Sequence, residues 1–396
     1  MIVVPDMTLV TLKKKCKISS FLTLMLVAFH GEVFSSSMAV ASQQYYQLSM
    51  AFLRYHQLAQ SSAWQSLPSY DQFMLYTPQD KNALLNQLLT ATGDHKAPSD
   101  PLYLAIQRYQ RRHQLPASGH INKATYLSLY AGPKEKAQLI ARNLKRLERL
   151  PDDLGRNYVL VNVPDYSLQY VERGEVKLSM RVIVGKPYRP TPLMVDTIRS
   201  IIVNPTWTVP SKIAFKDILP KLKKQPNYLK KNNFSVFQYK DNGVVTVNYD
   251  DIDWENINYK KIDRSAFPYQ LRQSSGSHNA LGRFKFNFPN SQAIYLHDTP
   301  QKYLFSRQNR ALSSGCVRVE KPRQLAEQLL KSNRHYSRRK IDQILNSGQM
   351  TTLSLNVPVP VYITYLTAWV NQDGELRFAK DIYKMDKRRY ISMADQ

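Results

Sequence analysis

Two residues in this chain have the chemistry of a nucleophile and its base. Cys316 lies in Ser313-Ser314-Gly315-Cys316-Val317-Arg318-Val319, and His297 lies 19 residues before it in Tyr295-Leu296-His297-Asp298-Thr299. A cysteine attacks as its thiolate, which is scarce near neutral pH unless a neighbour lowers its pKa or takes its proton. An imidazole can accept that proton and return it to a leaving amine. The backbone of Ser314-Gly315-Cys316 offers N–H groups for a developing oxyanion, and glycine permits close approach to a substrate. Arg318 stands two residues past Cys316, which on a strand is the same face, where it can bind a carboxylate or support the site. Tyr295 shares the face of His297 by the same count and can donate to substrate or oxyanion. Asp298 falls on the opposite face and reads as structural. The orienting partner of His297 is then either Asp298 or a backbone carbonyl near Ser314. The alternatives are a small buried hydrophobe for Cys316, strand packing for Tyr295 and a surface ion pair for Arg318.

Compartment bears on the thiol. Lys13, Lys14, Lys15 and Lys17 precede an apolar run over 21–29, and small residues follow, ending in Ala39-Val40-Ala41. This is the order of a cleaved export signal, with cleavage expected after Ala41. The run is shorter than the roughly 20 apolar residues that span a bilayer. Cys16, the second of two cysteines, falls within this leader, so the exported chain carries one thiol, a candidate nucleophile. The formal net charge is +25, which favours polyanions. An anionic cell wall or membrane surface suits an exported protein, and no nucleic-acid motif is present. No Cys/His cluster has metal-ligand spacing, and no phosphate-loop motif occurs, so neither metal nor cofactor is expected.

The elements that must position these residues divide into helical and β parts. Residues 42–98 show helix-like apolar spacing at Leu84, Leu85, Leu88 and Leu89, and a polar, proline-bearing break over 94–101 reads as a loop. In 99–150, Leu102, Ile106 and Tyr109 fall at helical spacing, Ser118-Gly119 makes a turn, and a second helix starts near Ala124. A basic amphipathic helix follows over 134–150. From Tyr158 the pattern becomes β, with strand-like runs over 158–163, 167–171, 176–185 and 201–210, and Arg173-Gly174 as a turn. No helix of crossover length separates them, so a mostly antiparallel sandwich or barrel-like sheet is predicted in an α+β chain. Residues 211–272 interrupt the series with a short helix over 213–219 and a lysine-rich stretch. An insertion of this length is functional or disordered. Helices are predicted over 323–330 and 338–345, and a β stretch over 357–370.

His297-Asp298-Thr299 followed by Ser313-Ser314-Gly315-Cys316-Val317-Arg318 resembles the L,D-transpeptidase catalytic domain of the YkuD type. Asn279 to Phe286, Phe288-Pro289-Asn290 and Pro358 to Tyr365 resemble its YcbB-like Gram-negative branch. The resemblance covers about 155–385. Residues 99–150 are similar to the small helical peptidoglycan-binding module, with Ser118-Gly119 where that family carries Asp-Gly. The resemblance implies a periplasmic enzyme that forms an acyl-enzyme at meso-diaminopimelate of a tetrapeptide donor, releases D-alanine and makes a 3→3 cross-link. It implies Cys316 as nucleophile, His297 as base, Tyr295 and the Ser314-Gly315-Cys316 backbone as oxyanion support, and Arg318 as scaffold. Asn279, Trp207 and Tyr109 are implied as substrate-binding residues, and the insertion over 211–272 as a lid. Peptidoglycan stem peptides are the implied partners, carbapenem-type β-lactams the inhibitors, and penicillin-binding proteins possible partners in wall synthesis. Two departures from the branch are a shorter N-terminal scaffold and Ser274-Ser275-Gly276-Ser277-His278 in place of a Pro-Gly stretch. The same site with water as acceptor would be a carboxypeptidase or endopeptidase. Attachment of an outer-membrane protein to the wall, or a binding scaffold with a dead site, completes the set of readings.

Overall fold

The computed structural model describes residues 40–240, 243–254, 269–333 and 335–387. The expected leader up to residue 39, residues 255–268 of the insertion and the tail from 388 lie outside them. The chain enters as helix α1 (Val40–Leu58), then α2 (Tyr70–Met74), α3 (Pro78–Thr92), α4 (Leu102–Arg112), α5 (Lys123–Tyr130) and α6 (Gly132–Leu147). Their starts are set by side-chain caps: Ser69 and Gln72 form a reciprocal capping box, and Thr77 and Asn122 accept from the third residue beyond. The break over 94–101 is a loop, but it does not divide the helices. Phe73, Leu85, Leu88 and Leu89 share one core with Ile106, Tyr109, Tyr126 and Leu129. The boundary expected near residue 98 therefore runs through the middle of a single packed unit. Helices α1 and α6 instead pack together and onto Ala368, Val370 and Phe378 near the C-terminus.

The β part begins with β1 (Asn157–Asn162), β2 (Ser167–Glu172), β3 (Glu175–Gly185) and β4 (Met194–Val203). The β2–β3 turn is tight because Arg173 and Gly174 both take positive φ, 53° and 81°, the twist a two-residue hairpin demands. The strand expected over 201–210 breaks at Asn204 (φ 50°) before Pro205, and β5 (Trp207–Thr208) belongs to a different sheet.

The insertion starts there. It runs through α7 (Ser211–Ile213), a π-helical turn (Ala214–Ile218), α8 (Leu219–Leu222), α9 (Tyr228–Lys231), β6 (Phe234–Lys240), β7 (Gly243–Val247) and β8 (Tyr269–Gln273). Its strands form their own sheet in the order β5-β8-β6-β7, over a core of Val209, Phe215, Ile218, Leu222, Phe234 and Leu271.

The chain then returns as β9 (Phe284–Asn287), β10 (Leu296–His297), β11 (Ala311–Ser313), β12 (Val317–Val319), α10 (Pro322–Leu329), α11 (Arg338–Ser347), β13 (Thr351–Thr364), β14 (Ala368–Val370) and β15 (Leu376–Phe378). The main sheet has the order β11-β3-β12-β10-β9-β4-β13-β1-β2, and β2 also pairs β3, which closes eight of the strands into a ring. Most neighbours are antiparallel, while β1–β13, β10–β12 and β11–β3 run parallel. Inside the ring lie Val159, Val161, Val182, Val184, Phe284, Phe286, Leu296, Val317 and Val319, with Leu325, Leu329 and Ile341 from α10 and α11. No helix among the described residues is long and apolar enough to cross a membrane.

Candidate active site

Alternation along three short strands assembles the site. Phe284, Phe286, Leu296, Val317 and Val319 point into the barrel core, so the residues between them face outward. Leu296 pairs with Val317 and His297 with Arg318 in the parallel β10–β12 ladder, and His297 pairs with Lys285 in the antiparallel β9–β10 ladder. Lys285, His297 and Arg318 thus form a row across three strands. Tyr295 and Cys316 stand one row along on the same outer face. The turn over 302–306 flanks this face through Leu304 and Phe305, which pack on Ile183.

A web of hydrogen bonds holds the turn that carries Cys316. Ser313 Oγ donates to the Cys316 carbonyl (2.6 Å) and accepts from the Gly315 N–H (3.1 Å). Thr191 Oγ donates to the Gly315 carbonyl (2.7 Å) and accepts from the Gly185 N–H (2.8 Å). Tyr383 Oη donates to the Gly185 carbonyl (2.7 Å). Gly315 has φ 126°, a conformation that side chains rarely adopt. The Gly315 N–H is therefore engaged. Among the described residues, the Cys316 N–H is the donor in this turn segment left free beside the sulfur. Ser314 is exposed, and its Oγ accepts from Arg189 (2.8 Å). The same guanidinium bonds the Asp217 carboxylate at 2.5 and 3.1 Å, which ties the π-helical turn of the insertion to the Cys316 turn.

The electrostatics favour neutral reactants. Burial, with the Arg318 guanidinium next in effect, lowers the His297 pKa to about 3, so the imidazole is uncharged near neutral pH. Its Nδ1–H donates to the Asp298 backbone carbonyl (2.6 Å), which leaves Nε2 as the basic nitrogen. Neither the Asp298 carboxylate nor a carbonyl near Ser314, the two orienting groups weighed from the sequence, has this role; the Asp298 backbone carbonyl takes it. The Asp298 carboxylate faces away and accepts from the Arg283 N–H (2.8 Å), the Thr299 N–H (2.6 Å) and Lys302. Burial pushes the Cys316 thiol up, opposed by the backbone N–H and hydroxyl of Tyr295 and by the charges of Lys285 and Arg318. The resting thiol is thus protonated, and Sγ donates to the Ala293 carbonyl at 3.8 Å. Arg318 donates to Gln301 Oε1 (2.9 Å), and its buried Nε lacks a partner. Among the described residues, the surface ion pair considered for it does not form. The arrangement can hold a carbonyl over Sγ, accept the thiol proton at Nε2 and donate to the oxyanion from the Cys316 N–H and the Tyr295 hydroxyl.

Trp207 sits half-buried at the root of the insertion, its indole within reach of the Tyr295 hydroxyl. Two expected substrate contacts are corrected. Asn279 is buried, and its amide donates to the carbonyls of Pro205 (3.0 Å) and Ser274 (2.9 Å) while accepting from the Leu281 N–H (2.8 Å). It has no group to offer a ligand. Tyr109 is fully buried in the helical core, bonded to Ser128 Oγ (2.9 Å) and stacked on His113 at 3.8 Å. Its place on the apolar stripe with Leu102 and Ile106 already implied burial. Sequence reasoning gave no role to Lys285, Arg189, Thr191 or Tyr383. Lys285 carried a signal, a charged residue alternating with Phe284 and Phe286, but its neighbours depend on strand pairing. Among the described residues, no group of three or more His, Cys, Asp or Glu could hold a metal ion.

The family described as the YkuD L,D-transpeptidase catalytic domain matches residues 156–361. A Haemophilus influenzae protein, named provisionally as an L,D-transpeptidase, is 44% identical over 258 residues, which are 65% of this chain and 50% of that protein. The chain thus spans about half the length of this relative. A Stackebrandtia nassauensis L,D-transpeptidase structure covers 70% of this chain and 89% of its own, at 12% identity and a TM-score of 0.25. L,D-transpeptidase 3 of Mycobacterium tuberculosis covers 53% of this chain and 61% of its own, at 12% identity and a TM-score of 0.25. At such overlaps neither structure adds weight to the assignment. The match over the barrel, which contains every strand of the Cys316–His297 face, makes this chain a member of the YkuD L,D-transpeptidase catalytic-domain family.

Proposed function

We propose that the chain forms 3→3 cross-links in peptidoglycan through a thioester on Cys316. Sγ attacks the carbonyl of the third stem residue, and the thiol proton passes to His297 Nε2. The oxyanion is met by the Cys316 N–H and the Tyr295 hydroxyl. Collapse breaks the amide bond, the His297 proton goes to the leaving nitrogen, and D-alanine departs. The acceptor amine then attacks the thioester, gives its proton to His297, and the thiol is restored. The observation that carries this reading is Tyr295, His297, Cys316 and Arg318 on one outward face, with the imidazole tautomer fixed by the Asp298 carbonyl. A strained lactam carbonyl meets the same thiol, so carbapenems are proposed as inhibitors. The reading puts this work in the periplasm, in keeping with the export signal expected from the sequence.

The test is mass spectrometry of the protein incubated with disaccharide-tetrapeptide. A dimer short of one D-alanine supports transpeptidation, and tripeptide monomer alone supports hydrolysis at the same site. A carbapenem should add one drug mass to the protein, and an adduct that survives Cys316→Ala would refute the assignment of the nucleophile.

A further inference from the structure

The reaction above leaves one cation on the active face without a task. Lys285 is half-buried on β9, paired across the sheet with His297 on one side and Ile202 on the other. Its Nζ stands 4.3 Å from the centroid of the Tyr295 ring, and the hydroxyl of that tyrosine lies on the thiol. Among the described residues, no acidic side chain pairs with Lys285. Two acids of the site are committed elsewhere: Asp298 bonds Lys302, and Asp217 bonds Arg189.

Arg318, on the far side of His297, is likewise without an acidic partner and rests on neutral Gln301. With the thiol protonated, this face holds two cations and no anion among the described residues. Burying an unpaired ammonium is unfavourable, and desolvation indeed pushes Lys285 below the ordinary lysine range. Such a group is matched only when a ligand brings negative charge. The two cations are not equivalent. Arg318 already has a hydrogen-bonded partner, whereas the ammonium donors of Lys285 are unused apart from the aromatic face.

The proposed donor peptide supplies such an anion. The residue that leaves carries its α-carboxylate three bonds from the scissile carbonyl carbon. A carbonyl held over Cys316 and Tyr295 therefore brings that carboxylate to the neighbouring strand. Building on the transpeptidase reading, we propose that Lys285 is a substrate-binding residue that takes the α-carboxylate of the residue leaving from the donor peptide. This contact fixes the donor's direction across the strands and selects peptides with a free C-terminus. Lysine suits the role as a compact point charge with three donors.

The experiment compares tetrapeptide with its C-terminal carboxamide, reading release of D-alanine or D-alaninamide by the full-length protein. The wild type should prefer the free acid by about 10- to 100-fold in kcat/KM, the range for one charge-assisted hydrogen bond. Lys285→Gln should erase this preference by slowing the acid more than the carboxamide, so that the ratio falls to near one, and Lys285→Arg should restore part of it. Any effect of Lys285 on the thiol acts equally on both donors and cancels in the ratio. No preference in the wild type, or an equal loss on both donors in Lys285→Gln, would overturn the assignment. The wild-type comparison stands even if a variant fails to fold. A wild type that releases neither product would instead overturn the transpeptidase reading, and this proposal with it.

Discussion

Asp217→Asn tests whether the insertion is latched to the Cys316 turn. Pro220 follows a helical run, lacks an N–H and crowds the preceding turn, and just before it the helix widens to a π turn, with the Leu219 N–H bonded to the Ala214 carbonyl. That turn carries Asp217 to Arg189. The Arg189 side chain is 8% exposed and that of Asp217 33%. The carboxylate takes two of the three hydrogen bonds of the guanidinium, and Ser314 Oγ takes the third. Breaking a fully buried ion pair costs ~3–5 kcal/mol, and an exposed pair is worth ~0–1 kcal/mol. With one partner a third exposed, ~2 kcal/mol is the reasonable figure. Because Asp217 belongs to the insertion and Arg189 to the barrel, the loss falls on docking of the insertion. At 1.36 kcal/mol per tenfold, this raises the undocked population ~30-fold. Hydrogen exchange reads it directly: amides over 211–222 should exchange ~30-fold faster in Asp217→Asn, and amides over 351–364 of the barrel should not change. Unchanged exchange over 211–222 would mean the latch carries no docking energy. Faster exchange everywhere would mean the insertion does not undock independently.

Three further outcomes follow from the structure. With burial raising the Cys316 thiol and the His297 pKa near 3, iodoacetamide alkylation of the resting protein should rise in one step above the ordinary thiol range; a shoulder between pH 4 and 7 would reveal a thiolate–imidazolium pair and refute the neutral assignment. His297→Ala should lower the acylation rate roughly 100- to 10,000-fold, and near-normal turnover would remove it as base. Gly282 has φ 60°, and a Cβ there would overlap the Asp298 carboxylate; Gly282→Ala should destabilise the protein by ~2–4 kcal/mol through left-handed backbone and overpacking, read as a lower Tm, and an unchanged Tm would show that Asp298 can shift.

What could be read from the sequence was local. Period-two alternation around His297 and Cys316 was enough to put Tyr295 and Arg318 beside them, because each pair straddles the start of one strand. The barrel was legible as a class, since no crossover helix interrupts the β runs. Its closure through β2–β3 and its parallel β10–β12 pair were not, because pairing depends on register between distant segments. Lys285 and Arg189 were missed for this reason: Arg189 lies 125 residues from the Ser314 it bonds. Asn279 and Tyr109 were misjudged because residue type was weighed without counting the backbone and core partners that satisfy each side chain.

The neutral thiol and neutral imidazole have a consequence for how the site waits. A preformed thiolate would react with any electrophile, whereas this sulfur keeps its proton, directed at Ala293, until something displaces it. Proton transfer to His297 is unfavourable alone, because the buried imidazole resists a charge between Lys285 and Arg318. It becomes favourable only as negative charge develops on the carbonyl oxygen at the Cys316 N–H and the Tyr295 hydroxyl. A donor carboxylate at Lys285 would act in the same direction, by removing a cation's repulsion from the forming imidazolium. On the proposed reaction, the features that make this thiol unreactive at rest become transition-state stabilisation once the donor peptide is bound, so reactivity toward small alkylating agents should be a poor guide to reactivity toward a correctly placed substrate.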